Sequence, residues 1–98
     1  MANALVSIQI LPHTPNGDTI IPYVDRAIAM IQDSGVKYWV GPLETTMEGE
    51  LSQLLDLVRS MNEEMIRIGC PYVISQVKIY YHPTEGASID RLTEKYRS

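Results

Sequence analysis

The chain has 98 residues, of which 45% are hydrophobic and 20% charged, and a formal net charge of −4. That length allows one domain, residues 1–98, and excludes separate cofactor and substrate halves. The composition is that of a folded globule, and the acidic balance argues against nucleic acid or an anionic membrane, both of which demand a basic face.

A single cysteine, Cys70, excludes an internal disulfide and a cysteine-rich zinc site. The opening Met1-Ala2-Asn3-Ala4 has no basic leader pattern. No apolar run approaches the ~20 residues that cross a bilayer. A cytoplasmic protein without membrane partners is therefore expected.

Leu5 to Leu11 alternates apolar Val6, Ile8 and Ile10 with polar Ser7 and Gln9, the period of a strand. His13 to Asp18 is a turn-rich loop. A helix follows, with Asp18 or Thr19 as N-cap and Pro22 in its first turn. Ile20, Val24, Ala27, Ile28 and Ile31 form its apolar stripe, and Gly35 closes it. Val36–Val40 is the second strand, Gly41-Pro42 a turn or bulge, and Glu44–Met47 a short third strand.

The second helix carries the clearest stripe: Leu51, Leu54, Leu55, Val58, Met61, Met65 and Ile68. Glu48 and Glu50 stand near its start, where the helix dipole favours acids. Gly69 and Pro71 end it, Tyr72–Tyr81 is a long fourth strand, and Ser88 caps a short terminal helix.

The order βαββαβ with a tail helix is the α+β, ferredoxin-like pattern. It implies a four-stranded antiparallel sheet in the order 4-1-3-2, with both main helices on one face. The other face takes Leu5, Ser7, Gln9 and Leu11 from the first strand, Lys37 and Trp39 from the second, and Tyr72, Ile74, Gln76, Lys78 and Tyr80 from the fourth. Such a mixture of aromatic and polar groups points to sheet-to-sheet association. The alternative is a monomer whose tail folds back over part of the sheet.

Strands one and three are read as parallel neighbours, which brings the starts of both helices to one end of the sheet. That end then gathers Asp18, Glu48 and Glu50 without a basic residue beside them. Such an end repels anions and admits a cation or an amine-bearing heterocycle, although the acids also serve as plain helix caps.

Other chemistries are poorly served. His13 and His82 fall at opposite ends of the sheet, so neither a metal site nor an acid–base pair forms from them, and Cys70 reads as a buried filler. The first loop has no Lys or Arg with which to hold phosphate, and the acidic chain lacks any Phe for RNA stacking. No catalytic set and no cofactor are expected.

The segment from Tyr38 to Glu50 contains Tyr38, Pro42, Thr45, Glu48, Gly49 and Glu50 in the spacing Y-x-x-x-P-x-x-T-x-x-E-G-E. It resembles a signature of the small thiamine-binding protein family. Val6 to Pro12 resembles that family's first strand, and Ser34-Gly35-Val36-Lys37-Tyr38 its helix-to-strand junction. The likeness runs through Tyr81; Tyr72-Val73 and Tyr80-Tyr81-His82 depart from it.

The resemblance implies a ferredoxin-like subunit in a homotetramer built from sheet-to-sheet dimers. It also implies non-catalytic binding of thiamine or its hydroxymethylpyrimidine moiety. An aminopyrimidine needs an acceptor for its exocyclic amine and donors for its ring nitrogens. Glu48 is then the expected amine acceptor, Ser7, Thr45 and Thr46 the hydroxyls, Gln9 a further polar contact, and Tyr38 or Trp39 the stacking wall. A binder of this kind leaves Thr45, Glu48 and an aromatic around one closed cavity. The competing reading is a ferredoxin-like assembly or regulatory module with no small ligand.

Overall fold

A computed structural model describes residues 2–97. Its elements are β1 (Ala4–His13), α1 (Ile21–Ser34), β2 (Lys37–Val40), β3 (Thr45–Gly49), α2 (Leu51–Arg67), β4 (Tyr72–Tyr81) and α3 (Ile89–Thr93). The sheet order is β2-β3-β1-β4, the expected ferredoxin-like arrangement. Every neighbouring pair is antiparallel.

The alternation along β1 divides the sheet as the sequence predicts. Ala4, Val6 and Ile8 lie 0–4% exposed under the helices. They pair across β3 with Gly49, Met47 and Thr45, and Met47 is also fully buried. Ala27 and Ile31 of α1 and Leu54, Met61 and Met65 of α2 complete the core. Leu55 of the expected stripe is instead 40% exposed, and Leu57 packs against the core.

The helix ends follow local chemistry. Gly35 adopts φ 81°, and its N–H donates to the Gln32 carbonyl, a left-handed closure that glycine accommodates without steric cost. The start of α1 differs from expectation: Ile20, not Asp18 or Thr19, is the cap residue. A tight turn at Pro15–Gly17, with Asn16 at φ 57°, extends the preceding loop by two residues.

The two helices are joined by Glu64 of α2, which is 9% exposed. Its carboxylate accepts from Arg67 Nε at 2.6 Å and Arg26 Nε of α1 at 2.8 Å. These two guanidiniums, Arg67 foremost, hold its pKa down to about 2.

Two expectations about the helix starts are corrected. β1 and β3 are antiparallel, so the chain enters α1 and α2 from opposite ends of the sheet. Asp18 and Glu50 therefore do not share an acidic end. Glu48 belongs to β3 and pairs in register with Leu5 and Lys37, which turns it to the face away from the helices.

That face is partly covered by the chain's own tail. Ala87 N–H donates to the Ala2 carbonyl at 2.9 Å. Ser88 caps α3 by accepting from Arg91 N–H at 3.1 Å, as its position predicts. Ile89 is 7% exposed, Lys37 pairs with Asp90, and Asp90 also takes Arg97 at 3.1 Å. Tyr72, Ile74 and Leu11 of the same face remain exposed.

Candidate functional site

Two cavities lie on opposite faces of the sheet. The first, about 230 Å3, sits on the helix face where β1 outruns β3. Ile8, Ile10 and Thr45 line it from the sheet, Val24, Ala27 and Ile28 from α1, and Gly41–Glu44 from the β2–β3 connection. That connection is tight: Gly41 N–H donates to the Glu44 carbonyl at 2.9 Å. A Cβ at position 41 would meet the same oxygen at 2.9 Å, so only glycine fits without a backbone shift.

The cleft is mainly apolar. Thr45 is 7% exposed, and its hydroxyl has no side-chain partner among the described residues. Since no side-chain polar atom there is both sealed and unpaired, this hydroxyl opens onto the cleft. Glu44 is the one ionisable lining residue. It accepts from Lys78 Nζ at 3.0 Å, and Lys78, with the Ser7 hydroxyl, holds its carboxyl below the usual range.

The second cavity, about 300 Å3, lies between the sheet and the tail, lined by Trp39, Ile89, Thr93, Tyr96 and Arg97. Arg97 reaches Asp90 Oδ1 at 3.1 Å and the Thr93 hydroxyl at 3.0 Å. Lys95 Nζ lies 5.0 Å from the centre of the Tyr96 ring.

The seven residues singled out from the sequence divide among these places. Thr45 and Gln9 line the helix-face cleft. Trp39, 62% exposed, lines the cavity beside the tail, and Glu48 Oε1 accepts from Ile89 N–H at 2.8 Å, holding the tail in place. Ser7 and Thr46 are cross-strand partners with hydroxyl oxygens 3.4 Å apart, on the face away from the helices. Tyr38 pairs with Met47 on the helix face and packs against the core.

Thr45 and Glu48 are thus on opposite faces, and neither of these two cavities holds both. Sequence reasoning did not place Ile10, Val24 or Ile28 at a site. Their signal, apolar positions on the helix-facing side, is the same as that of core residues. The shortness of β3 beside β1 is what turns them into cavity walls.

The histidines fall at opposite ends of the sheet, as expected. His13 pairs with Tyr72 and stacks on its ring with centroids 4.5 Å apart, while His82 N–H donates to the Asn3 carbonyl. Cys70 is buried, which pushes its thiol pKa up. Among the described residues no three His, Cys, Asp or Glu side chains converge on a metal position. No helix among them is long and apolar enough to cross a membrane.

Comparison with known proteins gives this geometry a context. The profile of a family described as thiamine-binding protein matches residues 6–97. The UPF0045 protein CPE1503 of Clostridium perfringens is 44% identical over 92 residues, covering 94% of this chain and 95% of that protein. A domain of unknown function, DUF77, from Bacillus cereus superposes with a TM-score of 0.92 at 38% identity, over 99% of this chain and 92% of that one. A Thermotoga maritima protein described as a candidate thiamine biosynthesis/salvage protein gives a TM-score of 0.85 at 33% identity, over 97% and 99% of the two chains. The match of the family profile to nearly the whole chain, supported by these relatives, places the chain in the thiamine-binding protein family.

Proposed function

We propose that this protein binds thiamine, or its hydroxymethylpyrimidine part, in the helix-face cleft and performs no chemistry on it. The observation that carries this reading is an apolar cleft with the Thr45 hydroxyl opening into it, in a chain of the thiamine-binding family. A volume of about 230 Å3 is below the ~300–1,000 Å3 of drug-sized sites and suits one heterocycle. No Lys or Arg lines the cleft, which favours a neutral or cationic ligand over a phosphate ester.

On this reading Thr45 belongs to the site, Gln9 borders it from the far face of the sheet, and Glu48 lies outside it as the tail's anchor. Self-association as a homotetramer through the sheet, in the cytoplasm, is part of the same proposal. The exposed Leu11, Tyr72 and Ile74, which the tail leaves uncovered, support it.

Calorimetric titration with thiamine and, separately, hydroxymethylpyrimidine tests the reading. Saturable binding of either is expected. Thr45→Val removes one hydrogen bond and weakens binding by about three- to tenfold. Glu48→Gln leaves affinity unchanged. No heat with either ligand, on protein shown to be ligand-free, overturns the reading and leaves an assembly or regulatory module.

A further inference from the structure

The cleft also contains an unpaired stretch of strand edge. β1 pairs with β4 over its whole length, from Ala4 to His13, but with β3 only from Ala4 to Ile8. The next rung of the β1–β3 ladder that points the same way would set Ile10 opposite Leu43. The chain has already turned there: Leu43 is in the connection and 77% exposed.

Which groups are left over follows from the parity of the ladder. His82 N–H donates to the Asn3 carbonyl, extending the β1–β4 register by one rung. In an antiparallel pair, a residue's N–H and C=O both point to the same neighbour, and the direction alternates along the strand. Asn3 faces β4, so Leu5, Ser7, Gln9 and Leu11 face it too. Ala4, Val6, Ile8, Ile10 and Pro12 face the other way. The Ala2 carbonyl agrees, since it accepts from Ala87 on that other side.

Ala4, Val6 and Ile8 find β3. Ile10 finds nothing: among the described residues neither its N–H nor its C=O has a hydrogen-bond partner. Ile10 is half-buried and lines the cleft. This leaves a donor and an acceptor side by side at the strand edge, free for a ligand that enters the cleft. Pro12, next in the same parity, has no N–H and limits the edge to this one complete couple. A peptide strand needs a run of such couples, whereas a single ring needs one.

We propose that the main chain of Ile10 reads the ligand. Its N–H donates to a ring nitrogen, and its C=O accepts from the adjacent exocyclic amine. The ligand class is therefore a flat heterocycle with a ring-nitrogen acceptor and an amine donor on the adjacent ring carbon, as an aminopyrimidine has. This inference rests on the reading of the cleft as a thiamine-type site and says which part of the ligand that site recognises.

The test uses hydroxymethylpyrimidine as probe. In the unaltered chain, labelled with 15N, the Ile10 amide exchanges faster than those of Val6 and Ile8 and slows when the probe is added. Ile10→Val keeps the N–H and binds within about twofold of the unaltered chain. Ile10→Pro removes the outward N–H together with the isoleucine side chain, and it binds about tenfold more weakly than Ile10→Ala, which loses the side chain but keeps the N–H. Binding by the unaltered chain with no slowing at Ile10, or with a folded Ile10→Pro variant equal in affinity to Ile10→Ala, overturns this inference alone. Absence of binding by the unaltered chain overturns both it and the reading it rests on. Should Ile10→Pro not fold, the amide exchange of the unaltered chain decides.

Discussion

The two cavities are of similar size but are made in different ways. The helix-face cleft is walled by elements that also build the core: Ile8, Ala27, Ile31 and Met61 are each at most 4% exposed. The cavity under the tail is closed by the buried Ala87 and Ile89, by their N–H groups on Ala2 and Glu48, and by ion pairs at half-exposed Lys37, Asp90 and Arg97. Exposed ion pairs contribute little and weaken with salt. A cleft that shares its walls with the core keeps its shape as long as the protein is folded. A cavity held by a strap opens at the cost of the strap alone.

The largest expected effect strikes the cleft and the core together. Met61→Ala costs about 2–5 kcal/mol of global stability, the range for emptying a packed site, and enlarges the cleft. Urea unfolding followed by circular dichroism measures it; a loss below 1 kcal/mol would mean that the cleft is not core-supported.

Next comes the junction of α1 and α2. The Glu64 carboxylate titrates near 2, against an ordinary 4.5. Its contribution is therefore fully present above pH 4.5 and is lost as the pH falls from there toward 2. Glu64→Gln is expected to be less stable at pH 7, with the gap to the parent narrowing across that window. A gap independent of pH would assign the loss to packing instead.

The smallest effect is confined to the tail. Ile89→Ala removes three carbons, about 2.4 kcal/mol of burial at most at ~0.8 kcal/mol each. It is expected to detach the tail without shifting the main unfolding transition. Trp39, which borders the tail cavity, is already 62% exposed, so detachment is read instead as faster exchange of the Ile89 amide, whose N–H donates to Glu48 Oε1 in the docked tail. If ligand affinity also falls, the two cavities are coupled and the contrast drawn above fails.

Much of the architecture was legible because periodicity carries it. Alternation along β1 and β4 assigns both faces correctly, and the helical stripes point to Leu54, Met61 and Met65, all of them buried. The left-handed closure at Gly35 follows from one residue type. What periodicity does not carry is direction. Reading β1 and β3 as parallel neighbours overlooked that each crossover returns the chain to the end from which its preceding strand began. The acidic end built on that reading dissolved with it.

The site was less legible for a related reason. Glu48 stands in a conspicuous motif, but its partner is the backbone of Ile89, 41 positions away. No local pattern announces that contact. Thr45 and Thr46 are adjacent in sequence and similar in chemistry, yet the pleat sends one to the cleft and the other to the Ser7 hydroxyl. Ile10 matters through its main chain, and every residue but proline brings the same donor and acceptor. Its role emerges only when the lengths of two ladders are compared.

The β1–β4 ladder has a consequence for how the protein is made. It is the longest pairing in the sheet and joins the first strand to the last. During synthesis β1 emerges first, with Val6 and Ile8 destined for the core, and waits for both of its neighbours until β3 and then β4 have followed. Contacts so distant along the chain are slow to close, because the loop entropy is lost before the pairing repays it. The nascent chain therefore carries an apolar strand unpaired until β3 is made, and paired on one edge only until β4 follows. This is the stage at which chaperone binding or aggregation competes with folding.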